Sequence, residues 1–234
     1  MGSDIPATMK AVEATDPGGA EVLKACTRPT PTAGPGEVLV KVAFTGVNGP
    51  DLMQRRGLYP APKGASDLLG LEIAGEVVAV GDGVSRWSVG DRLCALTNGG
   101  GYAEYCAVDA EHCMEIPGGL ELAEAASLPE TYFTIWSNIF MTAGLTAGET
   151  FLVHGGAGGL GTTSIQLGKA FGATVVATES PAERCAFCLE LGADRAIDYN
   201  EQDFVEVVRE TFGGADVILD IVGGPYIARN IKAA

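Results

Sequence analysis

The sequence predicts an α/β protein in which a β-rich domain precedes a domain built on a parallel sheet. Three features support this prediction. Short strand-like runs crowd the first half of the 234 residues, whereas apolar strands alternate with helical patterns in the second half. A glycine-rich turn separates one of these strands from its helix. The change from period two to period 3.6 predicts a domain boundary near residue 120.

The glycine-rich turn occurs within residues 151–168, between an apolar run and a helical pattern. Gly156, Gly158 and Gly161 match G-x-G-x-x-G in the strand–turn–helix context that this motif requires. The first glycine permits a tight turn, the second lets the backbone approach a pyrophosphate, and the third lets helix and strand pack closely. N–H groups at the helix start would then hold the phosphate charge. We expect a dinucleotide site, the alternative being an ordinary tight turn.

Two further strands follow the turn, at residues 174–178 and 216–220, with a helix at about 181–191 between them. Such βα repeats imply parallel strands. A complete doubly wound domain has six strands, and about four are recognisable here. We therefore expect a truncated or alternatively terminated domain, whose exposed edge strand would be an aggregation hazard.

The preceding region predicts a partly closed β-barrel-like domain, because many short strands follow one another closely. The expected strands are 9–14, 22–26, 37–44, 69–80, 89–93 and 101–108, with a short helix ending at Gly57. The predicted organisation is thus a flexible leader (1–8), a β-rich domain (9–120) and a dinucleotide-binding domain (121–234).

Composition excludes several classes of protein. A hydrophobic content of 47% favours a folded core, and the N-terminal residues lack the pattern of a secretory signal. No apolar run is long enough to cross a bilayer. The net charge of −15 argues against nucleic acid as a partner. Six scattered cysteines indicate reduced thiols and a cytoplasmic protein, and Cys185 and Cys188 are interpreted as incidental helix thiols.

Several segments together resemble the quinone oxidoreductase (zeta-crystallin-like) branch of the medium-chain dehydrogenase/reductase superfamily. The matching stretches are 36–42, 48–55, 70–72, 89–92, 99–105, the glycine-rich turn and 191–194. The resemblance implies a GroES-like domain followed by an incomplete Rossmann domain. It also implies NADPH-dependent reduction of quinones or other electron-poor alkenes and carbonyls, with hydride transferred from the nicotinamide.

The resemblance indicates a reductase without zinc. Zinc-dependent members of the superfamily carry Cys near the position of Asn48 and His at that of Leu71, and neither ligand is present. The remaining candidate ligands lack the spacing of a metal site: Cys94, Cys106, Cys113, His112 and His154.

By the same resemblance, Asn48 and Tyr59 line the acceptor cleft, where an amide and a phenol can donate to a quinone oxygen. The alternatives are a turn former for Asn48 and a half-buried aromatic residue for Tyr59. Thr134 corresponds to a residue that faces the nicotinamide, or else is an ordinary helix threonine. Glu72 is interpreted as structural, with a charge-partner role inside the cleft as the alternative.

The residues expected to hold the pyrophosphate are Gly156, Ala157, Gly158, Gly159, Leu160 and Gly161. Ser180, Arg184 and Tyr199 match the positions that contact the 2′-phosphate in NADPH-preferring relatives, with a solvated helix face as the alternative for Arg184. Glu179, 18 residues after Gly161, could instead accept the ribose hydroxyls of NAD and thereby favour NADH. We expect NADPH, with NADH as the alternative.

The sequence leaves three functions open. The first is a zinc-free NADPH:quinone oxidoreductase, and the second is a 2-enoyl thioester reductase of the same superfamily. The third is a truncated, non-catalytic chain that binds partner subunits. A small-molecule quinone or enone is the expected partner. Relatives form homo-oligomers, but the strand through which they dimerise is expected to be missing here.

Overall fold

The computed structural model describes residues 5–234, and the chain divides into two compact units between Glu130 and Thr131. The expected boundary near residue 120 precedes helix α2 (Leu122–Ala125). Ala125 is buried with Ala74 of the first unit, which is why the helix belongs to that unit. Of the predicted leader, residues 1–4 lie outside the described part of the chain, and β1 begins at Thr8.

The first unit is mainly antiparallel. Its strands and helices are β1 (Thr8–Ala14), β2 (Leu23–Pro29), β3 (Glu37–Thr45), α1 (Gly49–Arg55), β4 (Glu72–Val80), β5 (Arg92–Leu96), β6 (Tyr105–Asp109), β7 (Cys113–Glu115) and α2. Five strands form one sheet in the order β6-β3-β4-β5-β7, and β1 pairs with β2. A bridge between Ala11 and Ala103 connects β1 to the chain before β6.

The core of this unit lies against β3, β4 and β5. Val38, Val40, Ile73, Val77 and Leu93 are fully buried in one cluster. The pairing of β3 with β4 shifts register at two places, and such irregularities bend a strand and increase its twist. The sheet therefore curves around its own core, as the partly closed barrel expected from the sequence requires.

The second unit contains four parallel strands with helices between them. Its elements are β8 (Thr150–His154), α4 (Gly159–Ala170), β9 (Thr174–Glu179), α5 (Ala182–Glu190), β10 (Arg195–Asp198), α6 (Phe204–Phe212), β11 (Val217–Leu219) and α7 (Pro225–Ala233). Before them, α3 (Pro129–Ile135) continues as a π-helix over Trp136–Thr142. No helix within residues 5–234 has the length and apolar character needed to span a bilayer.

Both faces of the parallel sheet are covered. Phe151 and Val153 of β8 pack on one face together with Ile165 of α4, whereas Leu152 packs on the other with Phe204 of α6. The strand order β10-β9-β8-β11 reverses direction at β8. In doubly wound sheets, ligands bind outside the carboxyl ends of strands at such a reversal, where the glycine-rich turn follows β8. The predicted fold class is confirmed.

Candidate active site

The glycine-rich turn is held tightly against its neighbours. An added Cβ at Gly161 would overlap the carbonyl oxygen of Gly155, so α4 approaches the turn as closely as backbone contact allows. At Gly156 an added Cβ would lie 2.7 Å from Cys188 Sγ. The left-handed backbone of the turn is at Gly155, with φ of +73°, one residue before the first glycine of the motif. Gly158 is open, with only Gly155 O at 3.4 Å from an added Cβ.

The start of α4 offers unpaired donors. Within residues 5–234, the N–H groups of Gly159, Leu160 and Gly161 have no hydrogen-bond partner, and Gly158 provides no side-chain cap. The N–H of Ala157 differs, because it donates to Glu179 Oε2 at 2.8 Å. Three N–H groups at the positive end of a 12-residue helix suit an anionic ligand such as a phosphate group.

Glu179 and Arg184 are partners. Arg184 Nε lies 3.2 Å from Glu179 Oε1, and Arg184 Nη2 donates to Oε2 at 3.3 Å. The Glu179 side chain is only 7% exposed, and its Oε1 also accepts from the N–H of Ser180. Burial opposes ionisation of Glu179, but the hydrogen bonds from Ala157, Arg184 and Ser180 lower its pKa below the ordinary value. The carboxylate therefore joins the glycine-rich turn to the arginine.

The remaining residues predicted for the 2′-phosphate lie at the ends of β9 and β10. Asp198 pairs with Glu179 in the sheet, and the N–H of Tyr199 donates to Glu179 O at 3.3 Å. Ser180 Oγ accepts from Asn200 Nδ2 at 2.7 Å. The structure thus brings Ser180, Arg184 and Tyr199 together around Glu179, the first two at its carboxylate and Tyr199 at its backbone carbonyl. Asn200 also joins this group and was not expected from the sequence.

Helix α3 passes beside the glycine-rich turn. Thr131 Cγ2 lies 3.4 Å from the position of an added Cβ at Gly159. Thr134 is one turn further along α3, on the same side of the helix as Thr131. Its carbonyl oxygen accepts hydrogen bonds from the side chains of Ser137 and Asn138. Thr134 therefore lies on the same face of α3 as Thr131, the face that contacts the glycine-rich turn at Gly159.

The first unit contains a separate polar cluster built around Asn48, which precedes the first residue of α1. The Asn48 N–H donates to Asp51 Oδ2, and Asn48 Nδ2 donates to Glu72 Oε1, both at 2.8 Å. Asp51 Oδ1 accepts from the N–H of Gly70, and Glu72 Oε2 accepts from the N–H of Glu130. Asn48 therefore both begins a helix and contacts a buried carboxylate.

The carboxylates of this cluster are strongly desolvated. Asp51 and Glu72 are each 2% exposed. Burial raises the pKa of Glu72, and the hydrogen bonds from Asn48 and Glu130 only partly offset that effect. Burial also raises the pKa of Glu130, helped by the charges of Glu72 and Asp51. Such perturbed groups are frequent at functional sites.

Tyr59 and the segment 99–102 differ in their hydrogen bonding. Tyr59 is 48% exposed on the segment after α1, and within residues 5–234 no hydrogen bond connects it to Asn48. The segment 99–102 is bonded to the chain at 68–70 through the N–H groups of Gly100, Gly101 and Tyr102. It is therefore an ordered part of the first unit.

The described residues contain no group of three His, Cys, Asp or Glu side chains suited to a metal ion. Leu71 is buried, and His154 is hydrogen-bonded to Thr178 and Asn230 in the second unit.

Cys185 and Cys188 are buried free thiols, and burial raises the pKa of Cys188 to about 11. A thiol with such a pKa is a poor nucleophile at neutral pH.

Comparisons with known proteins agree with this architecture. Residues 34–118 match the family model of the alcohol dehydrogenase GroES-like domain, and residues 159–234 match that of the zinc-binding dehydrogenases. The chain is 32% identical to the quinone oxidoreductase of Rattus norvegicus over 230 residues, covering 96% of this chain and 69% of that protein. It is 34% identical over 215 residues to the Rattus norvegicus synaptic vesicle membrane protein VAT-1 homolog, covering 91% of this chain and 53% of that protein.

A solved structure of the CurK enoyl reductase superposes with a TM-score of 0.88 at 28% identity, covering 97% of this chain and 71% of that one. The two family models match the chain in the order of its two units, and the similarity to the rat quinone oxidoreductase extends over 96% of the chain. The chain belongs to the quinone oxidoreductase (zeta-crystallin-like) branch of the medium-chain dehydrogenase/reductase superfamily.

Proposed function

We propose that this chain carries an NADPH-dependent oxidoreductase activity that reduces quinones or related electron-poor carbonyl and alkene acceptors without zinc. Oxidoreductases of this family use nicotinamide cofactors, and the reduced nicotinamide supplies a hydride when bound. The accompanying proton can come from solvent. The observation that carries the proposal is that Glu179 joins the glycine-rich turn to Arg184, which supports pyrophosphate binding at the turn and 2′-phosphate binding at the arginine.

The pyrophosphate would be held by the N–H groups of Gly159, Leu160 and Gly161, which have no partner within residues 5–234. Gly158 leaves the adjacent backbone open to an approaching phosphate, because its missing side chain has only one neighbour within 4 Å. These features fit the anion, since they combine free donors, a helix dipole and an absence of obstructing side chains.

The choice of NADPH depends on Arg184. Glu179 would favour NADH if its carboxylate were free for ribose hydroxyls, but both of its oxygens already accept hydrogen bonds. Arg184 presents Nη1, which makes no hydrogen bond within residues 5–234, and its side chain is 52% exposed. Because Nε and Nη2 of the guanidinium contact Glu179, its Nη1 group is left to donate to a 2′-phosphate.

On the acceptor side, Asn48 and Tyr59 are proposed to donate to the oxygen that gains charge during reduction. Without a metal to polarise this oxygen, hydrogen-bond donors must stabilise it. Asn48 is partly exposed, and the second proton of its amide is available beside the one that Glu72 accepts. Tyr59 is accessible to a ligand, being 48% exposed.

Turnover provides the test. The chain would be mixed with NADPH and a soluble quinone, and nucleotide oxidation followed by absorbance at 340 nm, with NADH in a parallel reaction. We expect oxidation that requires both the acceptor and the chain and is faster with NADPH. Failure to oxidise either nucleotide with quinones and with enoyl thioesters would overturn the proposal and favour the non-catalytic alternative.

A 2-enoyl thioester reductase is the second candidate, and the similarity to the CurK enoyl reductase favours it. Both reactions place negative charge on an acceptor oxygen, so the same donors serve either one. Competition between an enoyl-CoA and a quinone at equal concentration separates the two. Higher kcat/KM for the enoyl-CoA would assign the chain to the second reaction.

A further inference from the structure

Glu72 is a buried carboxylate in direct contact with the side chain of a proposed acceptor-binding residue, Asn48. It lies at the first position of β4, is 2% exposed, and its two oxygens accept from Asn48 Nδ2 at 2.8 Å and from the Glu130 N–H at 3.0 Å. Its backbone is fixed as well, because Thr45 Oγ1 donates to Glu72 O at 2.8 Å. Both ends of this residue are therefore held in place.

Gly46 explains how the carboxylate reaches Asn48. An added Cβ at Gly46 would overlap Glu72 Oε1 and would lie 2.7 Å from Glu72 Cδ. Gly46 is absent from the glycines with positive φ, so its backbone conformation is open to any residue. The position needs glycine for space alone. The carboxylate of Glu72 occupies the volume that a side chain at Gly46 would fill.

The carboxylate also determines which way the Asn48 amide faces. In the observed orientation Nδ2 donates to Glu72 Oε1, whereas a flipped amide would set Oδ1 against that oxygen. Two acceptors in contact repel each other, and a buried carboxylate left without its donor is costly. The Asn48 backbone is held independently, through its N–H bond to Asp51. The Asn48 side chain also faces the Asp51 backbone in the capping box of α1, and Glu72 is the partner that holds its Nδ2 end.

We propose that Glu72 is the positioning residue of Asn48: its carboxylate holds one amide proton and so directs the other toward the acceptor oxygen. This inference rests on the proposed function, in which Asn48 donates to the acceptor. It assigns to Glu72 a role beyond the structural one expected from the sequence.

A double-mutant cycle on kcat tests the coupling between Glu72 and Asn48. Glu72→Gln keeps the shape of the side chain but accepts either amide orientation, so we expect kcat to fall about tenfold while NADPH affinity stays within twofold. In an Asn48→Ala background the same substitution should have almost no further effect. The matched control is Glu76→Gln, an exposed carboxylate four residues along β4, which should leave kcat unchanged.

Gly46→Ala is a second way to disrupt the hydrogen bond between Glu72 and Asn48. Its Cβ would displace the Glu72 side chain, whose atoms are its three nearest neighbours, so it should lower kcat in wild type but not in Asn48→Ala. Equal rate losses from Glu72→Gln in both backgrounds would mean that Glu72 acts only on general structure, and would overturn the proposal. A wild-type rate in Glu72→Gln would overturn it as well.

The pH profile supplies another readout. Groups whose charges act with Glu72 are Asp51 on α1, Glu130 on α3, Cys94 on β5 and Tyr102 beside β6. Because the carboxylate form orients the amide, kcat in wild type should fall as pH decreases through the raised pKa of Glu72. Glu72→Gln should lack this acidic limb, whereas Glu76→Gln should retain it.

A measurement without turnover separates this inference from the proposed function. In the ¹⁵N-labelled chain, the Asn48 side-chain amide is identified as the pair of signals missing from Asn48→Ala. We expect its bonded proton to be shifted downfield and to change in Glu72→Gln but not in Glu76→Gln. Unchanged signals in Glu72→Gln would overturn the positioning role, whether or not the chain reduces quinones.

Discussion

Glu179 and Arg184 form a side-on ion pair at the carboxyl end of β9, with Nε 3.2 Å from Oε1 and Nη2 3.3 Å from Oε2. The acidic residue that suggested NADH is therefore engaged by the basic residue that suggested NADPH. The same carboxylate also accepts the Ala157 N–H, so one side chain connects the turn, the strand end and the arginine.

Arg184→Ala should weaken NADPH binding selectively. The lost charge-assisted hydrogen bonds are worth about 1.5–3 kcal/mol, or roughly a tenfold to hundredfold loss of affinity for NADPH. NADH affinity should change by less than about threefold, because NADH has no 2′-phosphate. Nucleotide fluorescence titrations measure both values. Arg195→Ala is the matched control, since Arg195 is exposed and bonds only to Gln202 within residues 5–234. An equal loss for both nucleotides would contradict the assignment of Arg184.

Glu179→Gln should lower stability in a pH-dependent way. The pKa of Glu179 is depressed below its ordinary value of 4.5, so its ionised form stabilises the fold above that pH. This contribution is lost as pH falls through the folded-state pKa. At pH 7 the substitution should cost about 1–3 kcal/mol of unfolding free energy. Denaturant unfolding at pH 7 and pH 3 measures it, and a difference from wild type that persists undiminished at pH 3 would argue against this cause.

Two glycines of the turn should respond differently to alanine. Gly161→Ala forces a Cβ into the Gly155 carbonyl oxygen and should reduce stability by about 1–3 kcal/mol. Gly158→Ala meets only an ordinary contact at 3.4 Å, so the fold should lose less than about 1 kcal/mol. Nucleotide affinity should nevertheless fall at least about tenfold in Gly158→Ala, because the Cβ obstructs the pyrophosphate. Thermal unfolding and fluorescence titration check both effects.

Gly118→Ala is the control for both glycine substitutions, because an added Cβ there has no neighbour within 4 Å. Normal nucleotide affinity in Gly158→Ala would show that the pyrophosphate does not pass over this backbone.

Chelation should leave turnover unchanged. The described residues provide no group of three suitable ligands, and the positions of two zinc ligands in related enzymes hold Asn48 and Leu71. We expect the same rate of NADPH oxidation before and after dialysis against a strong chelator, with metal content measured by mass spectrometry. Loss of activity that zinc restores would contradict the proposed metal-free reaction.

The parallel sheet and the glycine-rich turn could be predicted because their signals are local. Apolar strands, helical periodicity and three spaced glycines all lie within short windows of sequence. The motif could not show which glycine carries the positive φ, because Gly155, Gly156, Gly158 and Gly159 follow one another closely. The structure assigns it to Gly155.

Contacts between distant elements were harder to predict. The bond from Asn48 to Glu72 spans 24 residues, and it depends on the register of β3 with β4 and on the space left by Gly46. Glu179 and Arg184 are only five residues apart, yet the sequence presented them as competing for the nucleotide. Their pairing depends on how α5 begins after β9, which spacing alone does not reveal.

A fluorescence titration of this 234-residue chain with NADPH and with NADH under identical conditions tests the proposed cofactor site most directly. We expect both nucleotides to bind and NADPH to bind at least about tenfold more tightly, through the exposed edge of Arg184. Tighter binding of NADH would contradict the cofactor assignment. Absence of binding by either nucleotide would contradict the proposed oxidoreductase activity of this chain.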